Sequence, residues 1–316
     1  MTSVLRAPLA WLGRRGLLIL ALSILLGLAV PELASIAKPA VAPAIFLLLT
    51  QSLIRLDLHA LRGHVGRFGL LTVLVGFSIV LCPLVLWHLS LLAGLPVLLA
   101  VGVLLMGAAP PMVSAPAIAL MLGLDAELIL LPMVVATALV PLTLPALLAL
   151  LAGLELQLNL VSLSLRLLLF VGAAFIVATL LRLLVPPARI RAEAQVLDGL
   201  GVICLTLFAL GIMDGAADVL KAQPSYFALA TATAFVGYLL LQALGALAFA
   251  WLGRRPSLSI GLLVSNRNMG LVAAVLADKL PPDTLVFFAI GQLPIYILPA
   301  LLAPAYRAML RSSTPD

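Results

Sequence analysis

Four polar residues in a row interrupt an apolar segment near the end of the chain, at Ser265, Asn266, Arg267 and Asn268. An arginine at the centre of a membrane helix costs roughly 2.5–3.5 kcal/mol on insertion scales, so such a residue usually has a function. Guanidinium groups bind carboxylates and sulfates through paired hydrogen bonds, and asparagine amides donate to ligand oxygens. The run therefore predicts an anion site, with Arg267 as an unpaired cation facing a cavity. A structural arginine, paired with an acid or with free backbone carbonyls, is the alternative.

Smaller polar side chains in other apolar segments are candidates for the same site. Ser114 is the only side-chain donor near three prolines, while Thr137 and Gln292 lie within other apolar segments. A threonine in a membrane helix often bonds to its own backbone, so its presence alone does not establish a site. The predicted substrate-binding set is Asn268, Arg267, Asn266, Ser265, Ser114, Thr137 and Gln292. The histidines show no ligand spacing with Cys, Asp or Glu, so no metal site is predicted.

Two interruptions lie at corresponding positions in the two halves of the chain. The sequence Leu-Pro-Ala-Leu-Leu-Ala occurs at 144–149 and again at 298–303, and the shift that aligns these copies also aligns the interruptions. Interrupted segments at matching positions are typical of secondary transporters, in which the substrate site lies between them. The residues expected to break and restart the helices are Pro110, Pro111, Pro116 and Gly270.

Composition limits the class of protein. Of the 316 residues, 64% are hydrophobic and only 9% are charged, which indicates an all-α protein with many membrane spans. The net charge of +6 lies in short loops between apolar segments, where it sets orientation in the membrane. The expected partners are therefore the lipid bilayer and a small molecule, with no nucleic acid. The sequence leaves the oligomeric state open, and a monomer is one of the options.

Apolar runs of about 20 residues predict ten membrane spans. Five spans in each half is an odd number, so the second half must be inverted relative to the first. We expect a single transmembrane domain over 1–316, with one repeat at 15–152 and the other at 160–308. The predicted spans lie near 15–33, 39–55, 67–91, 96–122, 126–152, 160–185, 194–213, 224–252, 256–277 and 283–308.

Positive charges are divided unequally between the two sides of these spans. Only Lys38, Lys221 and Lys279 lie on one side. Loops rich in arginine and lysine stay in the cytoplasm, so both termini are predicted to be cytoplasmic, in a cell inner membrane. The other side receives Arg6, Arg14, Arg15, Arg55, Arg62, Arg67, Arg182, Arg189, Arg191, Arg254, Arg255, Arg307 and Arg311.

Two stretches of the chain resemble the bile acid:sodium symporter family. Gly107-Ala-Ala-Pro110, followed by Gly123-Leu-Asp125, resembles the family's fourth helix and the turn after it, and Asn268-Met-Gly270-Leu271 resembles a run in its ninth helix. The resemblance implies ten helices in two inverted repeats, with helices 4 and 9 broken and crossed. It implies a panel domain of helices 1, 2, 6 and 7 and a core domain of helices 3–5 and 8–10. It also implies transport of organic anions such as bile acids, sulfated compounds or small carboxylates, with Asn268 facing the substrate.

The chain departs from this family where side-chain oxygens would bind sodium. Of those oxygens only the hydroxyl of Thr137 is retained. Sodium needs several oxygen ligands to offset its desolvation, so ordinary sodium coupling is not expected and no cofactor is predicted. A sodium symporter whose ions bind backbone carbonyls at the breaks is the alternative. At the other positions where the family has sodium ligands, this chain has Gly76, Ala115, Pro116, Met133, Ala136, Leu263 and Arg267.

Other classes of function have less support in the sequence. An intramembrane enzyme would need a group of His, Asp, Glu, Ser or Cys residues at depth, and none is apparent. A channel would need rings of charge along a pore, and a membrane sensor would need a signalling domain. We therefore expect a secondary carrier for an organic anion, independent of sodium or coupled to protons, and not an enzyme.

Overall fold

The computed structural model describes residues 7–9, 11–12, 15–55, 68–156, 159–276 and 279–311. Within these residues the protein is all-α and contains no strand, which confirms the predicted fold class at this level. Four of the arginines used to predict orientation, Arg6, Arg14, Arg62 and Arg67, lie outside the described residues.

Most of the helices follow one another with short connections. A π-helical turn at Phe77–Leu81 joins α4 to α5, and 3₁₀ turns at Lys38–Ala40 and Ala250–Leu252 follow α2 and α13. The α-helices are α1 (Gly16–Ala29), α2 (Pro31–Ala37), α3 (Val41–Ile54), α4 (Phe68–Gly76), α5 (Cys82–Leu92), α6 (Val97–Ala108), α7 (Ala115–Met121), α8 (Ala126–Leu156), α9 (Leu160–Leu184), α10 (Pro187–Ala192), α11 (Ala194–Gly211), α12 (Ala216–Ala222), α13 (Pro224–Ala248), α14 (Arg254–Ser265), α15 (Met269–Leu276), α16 (Pro282–Ile290) and α17 (Gln292–Arg311).

Seven segments of the described chain are long and apolar enough to cross a membrane, so this is a multi-pass membrane protein. The other three predicted spans correspond to the 14-residue α1 and to two interrupted pairs of short helices, α6–α7 and α14–α15. The ten-span count therefore stays a prediction. The seven segments are Pro31–Ile54, Phe68–Leu92, Ala126–Ala152, Leu160–Leu184, Ala194–Ala222, Pro224–Ala248 and Pro282–Arg311.

Helix α9 illustrates how such a segment is solvated and packed. Leu169, Leu183 and Leu184 are exposed on its outer face, where hydrocarbon rather than water is a favourable surrounding. Ala174 and Ala178 are buried, and α9 packs against α3. Small residues let helix backbones approach closely, which is how membrane helices gain packing energy without a hydrophobic driving force.

The first bundle consists of α1–α3, α9 and α11. Helix α11 packs against α1, α2 and α3, and a Cβ added at Gly211 would lie 2.6 Å from Cγ2 of Val41. Ion pairs join the two ends of this contact: Lys38 Nζ lies 2.8 Å from Asp214 Oδ2, and Arg55 Nη1 lies 2.5 Å from Asp198 Oδ1. The bundle is therefore held by close backbone packing along its length and by charge at both ends.

The second bundle consists of α4–α8 and α13–α17. Helix α5 packs against α6, α13 against α14, and α8 against both α4 and α14. Helix α16 also packs against α6, which brings the last third of the chain onto the first. This bundle contains both interrupted helix pairs.

The interruptions meet inside the second bundle. Helix α6 ends at Ala108 and α7 begins at Ala115, while α14 ends at Ser265 and α15 begins at Met269. The two breaks form an antiparallel bridge between Pro111 and Arg267. The Met112 amide donates to the Asn266 carbonyl at 2.7 Å, and the Asn268 amide donates to the Pro110 carbonyl at 2.8 Å. Backbone groups that the helices leave free are thus paired, as a hydrocarbon environment requires.

Candidate functional site

Arg267 is buried at the crossing of the two breaks, with 1% of its surface exposed. Nη1 donates to the carbonyl of Ala109 at 3.0 Å and to Oγ of Ser78 at 3.2 Å, and Nη2 donates to the carbonyl of Ser78 at 3.0 Å. The expectation of an unpaired cation is therefore not met. Instead the guanidinium fills the alternative role considered from the sequence, since it binds backbone carbonyls that irregular helices leave free.

The free carbonyl of Ser78 has a local cause in the sequence. In the π-helical turn, the Cys82 amide donates to Phe77, so it is not available to Ser78. The next residue, Pro83, has no N–H to donate. A π-helical turn often marks a functional position. Here it directs a carbonyl oxygen to the guanidinium, which ties the α4–α5 segment to both breaks.

A cavity of about 760 Å³ lies between the two bundles, beside the crossing. Asn268 of the second break, Gly270 of α15 and Ser114 of the first break line this cavity. A Cβ added at Gly270 would lie 2.7 Å from Cδ1 of Ile45, so glycine lets α15 approach α3 at the cavity wall. The wall is otherwise largely apolar and includes Leu20, Ile45, Leu49, Met112, Ile118, Leu205, Phe208 and Ile295.

Four of the predicted site residues line this cavity: Ser114, Arg267, Asn268 and Gln292. Oδ1 of Asn268 accepts the Leu271 amide at 3.1 Å, so this oxygen caps α15 and the amide nitrogen is left to donate to a ligand. Nε2 of Gln292 donates to the Phe288 carbonyl at 3.2 Å. Ser114 precedes α7 without capping it through its side chain. Besides the guanidinium of Arg267, the cavity therefore contains neutral side-chain donors and acceptors.

The other three predicted residues are buried outside the cavity lining. Oγ of Ser265 donates to Oε1 of Gln242 at 3.0 Å, and the amide of Asn266 is 3.4 Å from the Tyr238 hydroxyl. The Thr137 hydroxyl donates to its own helix, at the carbonyl of Met133. These contacts lie within the second bundle, and they leave Oδ1 of Asn266 buried without a hydrogen-bond partner.

The residues expected to break the helices occupy two kinds of position. Pro110 and Pro111 lie in the non-helical segment between α6 and α7. Pro116 and Gly270 are each the second residue of the helix that follows a break, α7 and α15 respectively. Proline is favourable in a first helical turn, because the amide it lacks would have no intrahelical partner there.

Two arginines of the cavity were not predicted as part of a site. Arg15, which precedes α1, and Arg307, near the end of α17, both line the cavity and are exposed. In the sequence, their charges indicate only the orientation of the spans in the membrane. Their proximity arises because α1 packs against α17, a contact between the two ends of the chain that has no local sequence signal.

Comparison with known families identifies the group to which this chain is related. Residues 42–223, more than half of the chain, match the sequence model of the Sodium Bile acid symporter family. A comparison with curated proteins finds no match. The matched residues run from α3 through α12, so the break that contains Arg267 lies beyond them. The resemblance noted in the sequence is thus confirmed, and the chain belongs to the sodium bile acid symporter family of membrane transporters.

Proposed function

We propose that the protein is a secondary active transporter that moves an organic anion across the cell inner membrane by alternating access. The observation that carries this proposal is the cavity between the two bundles, next to the bridged breaks. Secondary transporters bind substrate at such interrupted helices, where backbone and side-chain groups are available within the membrane. Both termini are cytoplasmic in this proposal.

The architecture we propose has ten spans in two inverted repeats, 15–152 and 160–308. The reciprocal hydrogen bonds at the crossing support it, because each break donates one backbone amide to the other and accepts one in return. Two equivalent segments that meet at a two-fold axis make this kind of exchange. The first bundle would then be the panel domain, spans 1, 2, 6 and 7, and the second bundle the core domain, spans 3–5 and 8–10.

The lining of the cavity favours an anion. Arg15 and Arg307 line it, and the described lining residues include no Asp or Glu. Asn268, Ser114 and Gln292 supply neutral polar groups for substrate oxygens. The buried Arg267 adds positive potential at the inner end, where the dielectric is low and screening is weak. A bile-acid-like, sulfated or small carboxylate substrate has matching charge.

The residues present do not suit an ordinary sodium site. Ala115, Met133, Ala136 and Leu263 are buried apolar residues at positions where the family resemblance implies oxygen ligands. Thr137 supplies a single hydroxyl oxygen, whereas sodium needs several oxygen ligands. A cation about 4 Å from the guanidinium of Arg267 would be repelled by roughly 4 kcal/mol at an effective dielectric constant of 20. We therefore propose transport without ordinary sodium coupling.

The alternative, sodium bound by backbone carbonyls at the breaks, meets a specific difficulty. Arg267 already donates to the carbonyls of Ser78 and Ala109. The carbonyls of Pro110 and Asn266 accept amides across the bridge. A sodium ion would share these oxygens with the donors that already bind them, and it would lie close to the positive charge of Arg267.

Uptake into proteoliposomes tests this function. Purified protein is reconstituted, and uptake of labelled organic anions, including a bile acid, a sulfated steroid and a keto acid, is compared in sodium and choline buffers. We expect saturable uptake of at least one anion, with the same apparent affinity in both buffers. Strong tightening by sodium would support the symporter alternative. Absence of uptake and of binding for every anion would overturn the proposed function.

A further inference from the structure

We infer that Arg15 and Arg307 form an anion-binding subsite at the rim of the cavity, which selects amphipathic monoanions. In this arrangement the charged group of the substrate binds between the two arginines, and its apolar body extends inward toward the breaks. The inference rests on the proposed transport of an organic anion, and it adds the orientation of the substrate and the residues that select it.

The two rim arginines are positioned by the packing of the first and last described helices. Arg15 is the residue before α1, Arg307 is near the end of α17, and these two helices pack together. The guanidinium of Arg15 also lies 5.1 Å from the centroid of the Trp11 ring, a cation–π contact that restricts its orientation. Within the described residues neither arginine forms an ion pair with an acid.

Arg267 cannot take the same role without losing its own contacts. Its guanidinium is buried and donates to the carbonyls of Ser78 and Ala109. Turning toward a ligand would leave those two carbonyls without donors inside the protein. The cations of this cavity that can rearrange around a ligand are therefore Arg15 and Arg307, which are exposed.

The apolar lining of the cavity explains the selection of a single charge. Leu20, Leu49, Leu122 and Ile295 line the cavity with apolar surface. An apolar ligand body gains free energy by leaving water for such a wall. A second ionised group on that body would have to be desolvated among these side chains, which is costly without a partner. The cavity thus suits a ligand with charge at one end only.

Two simple ligands distinguish a cavity that binds charge at the rim alone from one that binds charge at both the rim and the breaks. Naphthalene-2-sulfonate carries one charge, and naphthalene-2,6-disulfonate carries a charge at each end of the same rigid body. Binding of both is measured by calorimetry on the full-length protein in nanodiscs of zwitterionic lipid. The rim arrangement predicts tighter binding of the monosulfonate. If instead anions were held at both the rim and the breaks, the disulfonate would bind more tightly, and the inference would fail.

Substitutions at the rim test which residues bind the charged group of the monosulfonate. We expect Arg15→Gln and Arg307→Gln each to weaken the monosulfonate about tenfold, because each removes a charge-assisted hydrogen bond. Arg307→Lys should restore part of the loss. Arg189→Gln is the matched control, since Arg189 is an exposed arginine that does not line the cavity. It should bind like the unmodified protein, and thermal unfolding midpoints should agree across the series.

The remaining outcomes separate this inference from the function on which it rests. If the rim variants bind the monosulfonate normally while Asn268→Ala loses it, the anion's charge lies at the breaks; transport stands and the rim subsite is refuted. If no anion binds the unmodified protein, the proposed function itself fails. If the rim variants differ from the unmodified protein only in nanodiscs of anionic lipid, the two arginines hold lipid phosphates, and the inference is again overturned.

Discussion

The two breaks at the crossing are built from opposite kinds of residue. The first is rich in proline and offers mainly acceptors, the carbonyls of Ala109 and Pro110. The second is polar and offers donors, the amide of Asn268 and the guanidinium of Arg267. Neither segment could satisfy its backbone alone in hydrocarbon, but together they do. The difference indicates that the second break stabilises the first, and the variants below test that dependence.

Loss of the Arg267 side chain should have the largest effect. Arg267→Met leaves the carbonyls of Ser78 and Ala109 without donors, and each such group costs roughly 1–3 kcal/mol when buried. Arg267→Lys keeps a charge but cannot reach both carbonyls through a planar fork, so its effect should be intermediate. The measurement is the thermal unfolding midpoint of the purified protein in detergent. A midpoint unchanged in Arg267→Met would mean that the guanidinium does not hold the crossing.

Substitution of Asn268 should separate two roles in one residue. Asn268→Ala removes both the oxygen that caps α15 and the amide nitrogen available to a ligand, whereas Asn268→Ser keeps a capping oxygen. Both should weaken binding of an anion whose body carries a further oxygen for Asn268, such as a hydroxylated bile acid, by about 1–3 kcal/mol, and only the alanine variant should lose an appreciable part of the stability. Calorimetry and unfolding midpoints distinguish the roles. Normal binding by both variants would restrict Asn268 to capping.

Ser78→Ala should have a smaller effect on stability. It removes the hydroxyl that accepts from Nη1 of Arg267, but it leaves the Ser78 carbonyl in place. A hydrogen bond between membrane helices contributes on the order of 0.6 kcal/mol. The unfolding midpoint should therefore fall slightly, with anion binding retained. A loss as large as that in Arg267→Met would show that the hydroxyl, rather than the two carbonyls, is the main partner.

Thr137→Val should have the smallest effect of the series. The hydroxyl donates to the carbonyl of Met133 four residues earlier, and Thr137 does not line the cavity. We expect anion affinity, and its independence of sodium, to be unchanged. Reduced uptake by a stably folded Thr137→Val protein would return this residue to the substrate site.

The sequence predicted the features that have local causes. Prolines and a polar run inside apolar segments are visible at once, and the helices end at Ala108 and Ser265 beside them. The sequence is a poorer guide to which residues pair at the crossing. The repeated hexapeptide aligns Pro111 with Ser265, whereas the bridge pairs Pro111 with Arg267, two residues further along.

Partners distant in the chain could not be predicted. Ser78 reaches Arg267 through a π-helical turn whose effect depends on Pro83, and no periodic pattern marks that turn. The rim arginines come together only when the ends of the chain pack. Arg267 was correctly singled out as unusual, but which oxygens it binds depends on tertiary structure.

The hydrogen-bonded bridge also bears on the electrical insulation of the membrane. Because the breaks exchange backbone hydrogen bonds at 2.7 and 2.8 Å, these four backbone groups are paired with one another and are not free to hold a line of water molecules. A guanidinium fixed at that point further disfavours the passage of protons and metal cations by charge repulsion. In the transport cycle that we propose, the substrate would therefore pass beside a crossing that itself hinders the passage of ions.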